Sequence, residues 1–202
     1  MNKDTRNIEA LTSYSSKRWS SSLRNTAKIW QAGRATSAAT SFFEPITIPV
    51  GSNQLTFIDG ALDANNPIYE MWTEATDVFC EELPLKKRLK CLVSIGTGAD
   101  TVQGVGDSLS ELAQTLKDIA TETEATAQKF ARNNRELLSR KNPKYFRFNV
   151  GHGLEHVGLE EASKKALILA ATNRYLAMEE NVQNLTACGE ILKTRECMYN
   201  FS

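Results

Sequence analysis

The sequence holds no Gly-x-Ser-x-Gly, the pentapeptide that mounts a nucleophilic serine on a sharp strand-to-helix turn. Any serine chemistry of that kind must draw its nucleophile from outside these residues. Histidine occurs only as His152 and His156, so a Ser-His-Asp triad would need one of the two. Their i, i+4 spacing lies among Gly151, Gly153 and Gly158, which disfavour a helix, and only Glu155 stands near as a further ligand. A metal centre is therefore not expected there. The four cysteines, Cys80, Cys91, Cys188 and Cys197, form no Cys-x-x-Cys pair and no metal-ligand spacing. No acidic cluster has the spacing of a calcium site. No cofactor is implied.

Charge of one sign is lacking as well. Lysine plus arginine and aspartate plus glutamate balance at 24 each, which removes the electrostatic case for nucleic acid or an anionic membrane. No run approaches the ~18 apolar residues of a membrane-spanning helix, so any lipid contact is expected to be peripheral. The polar start Met1-Asn2-Lys3-Asp4 is not a signal peptide, and the chain reads as cytoplasmic with reduced thiols. On that reading the sequon Asn184-Leu185-Thr186 carries no meaning.

What is present has the order of an α/β domain. Residues 1–25 are serine-rich and read as a polar arm ahead of a domain over 26–202. Thr26 to Ala39 turns helical, with Ile29, Trp30, Gly33 and Ser37 at helical spacing and small residues for close packing, until Glu44-Pro45 stops it. Ile46 to Val50 and Leu55 to Ile58 are β-rich runs around the hairpin-like Gly51-Ser52-Asn53. Asn65 or Asn66 is expected to cap a helix with Pro67 in its first turn. Ile68, Met71, Trp72, Ala75, Val78 and Phe79 form that helix's apolar stripe, expected as core. Leu89 to Ile95 reads as a central parallel strand ending in Gly96-Thr97-Gly98, so residues 55–96 are expected as a right-handed βαβ unit. Ala99 to Asp107 is a flexible loop. A long amphipathic helix begins at Leu109 and ends near 140 among Arg132, Arg135, Arg140, Lys141 and Lys144. That basic end is a solvated face suited to the helix dipole, with an anion site as the alternative. A third strand covers Tyr145 to Val150, a helix runs from Leu159 to Met178, and a last helix runs from about 180 to 195.

Two places could carry chemistry. Gly96-Thr97-Gly98 could cradle a phosphate on backbone N–H groups, but Thr101 stands where a dinucleotide fingerprint wants glycine, and a tight strand-end turn is the alternative. Asp59, followed by Gly60 and Ala61, ends an apolar run at a turn, where α/β enzymes place catalytic groups. The same position suits an Asx-turn or cap.

Three ordered segments bear on that choice. Ile29-Trp30-Gln31-Ala32-Gly33-Arg34-Ala35-Thr36-Ser37-Ala38-Ala39 with Phe42-Phe43-Glu44-Pro45 resembles a segment of the patatin-like phospholipase domain. Asp59-Gly60-Ala61 with Asn65-Asn66-Pro67, and Val93-Ser94-Ile95-Gly96-Thr97-Gly98, resemble two further motifs of that family, most closely its fungal members. Thr40 stands where the family carries proline. The resemblance spans about 70 residues and loosens beyond residue 98. It implies an α/β, three-layer sheet flanked by helices, related to the α/β-hydrolases, with the N-terminal part missing. It further implies lipid acyl-ester hydrolysis by a Ser–Asp dyad, in which Asp59 is the acid and Gly60 and Ala61 complete its motif. The serine and the glycine-rich oxyanion loop would belong to the missing half, so the chain alone is expected to be inactive. A fragment of a larger hydrolase, a degenerate paralogue binding lipid or protein, and one partner of a split enzyme all fit. The implied partner is a lipid or phospholipid ester. Without the first strands, an apolar strand edge and helix faces are expected to be exposed.

Overall fold

Alternating apolar and polar residues on either side of a glycine turn make a hairpin, and the first part of the fold is built on one. The computed structural model describes residues 1–39, 42–79, 83–98, 111–155, 157 and 161–194. The expected loop Ala99 to Asp107, together with Thr40, Cys80, His156 and Cys197, lies outside the described residues. Two units divide the chain: residues 1–85 with 109–123, and residues 86–108 with 124–202.

In the first unit, helices α1 (Ser21–Thr26) and α2 (Ile29–Thr36) precede strands β1 (Ile46–Val50) and β2 (Asn53–Phe57). The strands pair antiparallel, with Ile46 opposite Phe57, Ile48 opposite Leu55 and Val50 opposite Asn53. Gly51 takes φ +62° at the first position of the two-residue turn, the left-handed value a tight hairpin of this hand needs. Ile48 and Phe57 point to one face, where they are fully buried with Leu23 and Ala35; Leu11, Ala27, Ile46, Val50 and Leu55 pack around them. Thr47 and Thr56 face outward, their hydroxyls 3.1 Å apart.

Residues 1–25 are not a free arm. The Lys3 N–H donates to Thr56 O and the Ile58 N–H to Met1 O, at 2.8 and 3.0 Å, so Met1–Lys3 lie along the outer edge of β2. Met1 and Asn2 are buried, and α1 delivers Leu23 to the core. Serine-rich composition obscured these few apolar anchors. Trp19 adds a 2.7 Å bond from its indole N–H to Glu74 of helix α4 (Ile68–Phe79), which follows the short α3 (Ala61–Ala64).

The small residues of the α2 segment pack closely: Ala35 and Ala38 are buried, while Ile29 is 94% exposed and Trp30 63%. One packing expectation is corrected: the apolar stripe of α4 is not core, since only Ile68 is buried and Met71 and Phe79 are exposed. Asn65 and Asn66 donate from their side chains to Thr123, to Oγ1 at 2.7 Å and to the carbonyl at 3.1 Å.

The second unit holds α5 (Leu85–Arg88, of which Leu85 belongs to the first unit), β3 (Leu92–Ile95), β4 (Tyr145–Phe148), α7 (Lys165–Leu176) and α8 (Glu179–Lys193). Between β3 and β4 the chain contains α6 (Glu111–Asn133), whose residues to Thr123 belong to the first unit. β3 and β4 pair parallel, Leu92 beside Tyr145 and Ile95 beside Phe148. A parallel pair needs a crossover connection, and residues 96–144 make it. The βαβ unit expected over 55–96 does not form, because β2 pairs with β1 and β3 belongs to the other sheet. Nor is β3 a covered central strand: Val93 is partly exposed and Ile95 is 79% exposed. The core of this unit gathers Leu92, Phe130, Leu137 and Phe146, with Phe130 edge-on to Tyr145 at 5.2 Å between ring centres. Mixed helices and strands place the chain broadly in the α/β class, with two two-stranded sheets among the described residues.

Phe57 is the largest side chain buried in the hairpin core. Phe57→Ala is expected to cost about 3–5 kcal/mol, by lost transfer energy and the cavity left behind. Urea unfolding followed by circular dichroism reads this as a lowered midpoint.

Candidate active site

Asp59 sits where β2 hands over to α3. Its N–H donates to Ala38 O at 2.9 Å, which ties the end of the small-residue segment after α2 to the end of the strand. Its Oδ1 accepts the Ala61 N–H at 2.8 Å, an Asx-turn that starts the chain into α3. Gly60 has φ −79° and ψ 0°, and a Cβ there would meet only Ile8 Cδ1 at 3.9 Å. Glycine is thus not required at position 60 by backbone or space. The Met1 ammonium donates to Ile58 O at 2.9 Å; burial pushes this amine below its ordinary range, and the carboxylates of Asp59, Glu9 and Asp63 pull it back up. Among the described residues, no serine or histidine side chain bonds to Asp59. The structure therefore brings Asp59, Gly60 and Ala61 together with Ala38.

The Gly96-Thr97-Gly98 turn belongs to the second unit and is closed from within. Gly96 N–H donates to Phe148 O at 2.8 Å, and Gly98 N–H donates to Asn149 Oδ1 at 2.8 Å. A Cβ on Gly96 would run into Asn149 Oδ1, and Gly98 has φ +118°. These glycines are explained by a strand-end turn, and two of the N–H groups a phosphate would want are already occupied.

Sequence reasoning missed the polar network around that turn. Arg147 donates to Ser94 Oγ at 2.9 Å across the β3–β4 pair and lies 3.6 Å from Glu124. Asn149 bonds Glu124 from its side chain at 3.4 Å, and its N–H donates to the Tyr175 hydroxyl at 3.2 Å. Arg147 is largely buried and its Nε has no hydrogen-bond partner, so its charge rests on Glu124. A lone arginine between Phe146 and Phe148 was the available signal, since a charge inside an aromatic strand must find a partner.

His152 is exposed, with Nδ1 3.7 Å from Glu155 Oε1, and Glu155 also accepts the Gly153 N–H. No group of three metal-ligating side chains occurs among the described residues. Arg132, Arg135, Arg140 and Lys141 are exposed, as a solvated face should be, while Lys144 turns in to donate to Lys86 O at 2.9 Å. None of the described helices is long and apolar enough to cross a membrane. Comparisons with protein-family models, with curated proteins and with solved structures find no match to this chain.

Asp59→Ala removes the acceptor for the Ala61 N–H and is expected to cost about 1 kcal/mol, whereas Asp59→Asn keeps an acceptor oxygen and should cost less. Thermal melts of the two variants check the order. Gly96→Ala is expected to destabilise the chain, and Asn149→Ala made on top of it should recover part of the loss by removing the obstructing amide.

Proposed function

We propose that this chain is the acid-bearing part of a lipid acyl-ester hydrolase, with Asp59 as the acid of a Ser–Asp dyad in a patatin-like, three-layer α/β sheet. The observation that carries the reading is the Asp59 N–H bond to Ala38 O. It joins two of the three segments that resemble the patatin-like family, the one ending in Ser37-Ala38-Ala39 and the one beginning at Asp59. Asp59 also stands at a strand end beside a helix start, where a carboxylate can orient or deprotonate a serine hydroxyl. The exposure of Val93 and Ile95 supports a further layer packed on that face of β3, since parallel sheets are ordinarily covered on both faces. The substrate class is a lipid or phospholipid ester met at a membrane surface from the cytoplasm.

A second reading is a non-catalytic module of the same descent that binds lipid or protein. The exposure of Ile29, Trp30 and Phe43 in the first unit favours it, because apolar side chains so open to water suit a covering partner.

Purified as it stands, the chain is expected to hydrolyse a p-nitrophenyl ester no faster than buffer. Reading the genomic DNA upstream of the Met1 codon should reveal an in-frame Gly-x-Ser-x-Gly. Expressed together with that segment, the protein should turn over the ester, and Asp59→Asn should lower kcat by roughly 10³–10⁴-fold. Turnover by the short chain, or a longer protein indifferent to Asp59→Asn, sinks the hydrolase reading. Sedimentation with phosphatidylcholine vesicles that is unchanged by Asp59→Asn, with no ester turnover in either protein, would instead select the binding module.

A further inference from the structure

Cysteines far apart in sequence rarely meet unless the fold brings them together. Cys91 immediately precedes β3, and Cys188 lies on α8, 97 residues later. Their sulfurs are 3.9 Å apart, both in the second unit. Cys188 is buried and Cys91 half-buried, and both are free thiols. We infer that Cys91 and Cys188 form a redox-responsive clamp, a dithiol that closes to a disulfide and fastens α8 to the start of β3.

The geometry leaves little to be done for closure. The sulfurs need to approach from 3.9 Å to the bonded separation of about 2.05 Å. What such a bond would add is visible in α8 itself. Cys188 is the one buried side chain on that helix among the described residues, whereas Val182, Leu185 and Leu192 are exposed. A helix held by so little apolar burial opens locally at low cost, and a covalent tie at its buried point would limit that opening.

The chemistry closes with a small-molecule disulfide such as oxidised glutathione as oxidant. The half-buried Cys91 thiolate attacks one glutathione sulfur, forming a mixed disulfide and releasing one glutathione thiolate, which takes up a proton. The Cys188 thiol then loses its proton and displaces the second glutathione. The protein loses two protons and two electrons and gains one S–S bond; oxidised glutathione gains them and becomes two thiols. Burial, the hydrogen bond with Cys188 and its charge push the Cys91 thiol up to about 11, so thiolate is scarce at neutral pH. Closure should therefore be slow near pH 7 and speed up by nearly tenfold per unit as pH rises toward that value, where the thiolate fraction approaches one.

The test treats the full chain with oxidised glutathione, natively and in guanidinium chloride, then alkylates free thiols and maps peptides by mass spectrometry. In the native chain the Cys91–Cys188 linkage should dominate over every pairing with Cys80 or Cys197, and in denaturant that preference should disappear. Amide hydrogen exchange along α8 should slow several-fold in the oxidised chain. Cys188→Ala should abolish the slowing, and Cys80→Ser with Cys197→Ser should leave it intact. The inference is overturned if Cys91 and Cys188 remain alkylatable after native oxidation. A pairing pattern identical in native and denatured chains, or α8 exchange unaffected by the bond, overturns it equally.

Discussion

Both hydrogen-bonding edges of β2 are occupied, and much of the remaining arrangement follows from that. Residues Leu55 and Phe57 face β1, while Thr56 and Ile58 turn the other way and bond to Lys3 and Met1. Backbone groups of a strand need partners, and once both rows are taken no further strand can add. A run as apolar as Leu92–Ile95 must then find its partner elsewhere, and it pairs in parallel with Tyr145–Phe148. The same closure holds Phe57 and Ile48 against Leu23 and Ala35, so the edge pairing and the core of the first unit depend on one another.

Parallel pairing sets a different problem in the second unit. Ser94 and Arg147 are neighbours in register, so an ionic side chain is fixed within a sheet whose adjacent residues are aromatic. Burying a guanidinium is costly unless its charge is matched, and Glu124 from α6 supplies the match. Asn149 then serves three groups at once, donating from its side chain to Glu124 and from its backbone to Tyr175 while accepting from Gly98. The glycines of the turn after β3 are explained by that amide. Gly96 makes room for it and Gly98 takes the backbone angle that lets its N–H reach it.

Elements with a strong local signal were legible in the sequence. Gly51-Ser52 between alternating residues predicts the hairpin, and Pro67 followed by Ile68 predicts the helix start. The 3.6-residue pattern finds α6, α7 and α8, and bounds α8 closely, but α6 ends at Asn133 rather than near 140 and α7 begins at Lys165 rather than Leu159. Pairing was not legible, because which strand joins which depends on edges already filled by distant residues; Met1–Lys3 beside β2 has no sequence signature. Burial was legible where small residues cluster: Ala35 and Ala38 reach the interior, since close approach of α2 to the hairpin favours a methyl over an indole. It misled in α4, whose apolar stripe buries only Ile68. Asp59 was legible as a residue of interest, with its Asx-turn among the expected roles, but its bond to Ala38 was not.

Turn and catalyst are compatible roles for Asp59. The Ala61 N–H engages Oδ1, and the Asp59 N–H is held by Ala38 O, so the side chain and the backbone of Asp59 are each tied once. Among the described residues Oδ2 has no hydrogen bond and stays available to accept one. A catalytic base must be rigid in orientation yet keep an acceptor for the proton it takes. A carboxylate with one oxygen engaged and one unengaged meets both demands. A cap alone would ask only for the first oxygen, and asparagine would serve it as well. What distinguishes aspartate from asparagine at this position is the second oxygen, an acceptor where the amide would offer only a donor.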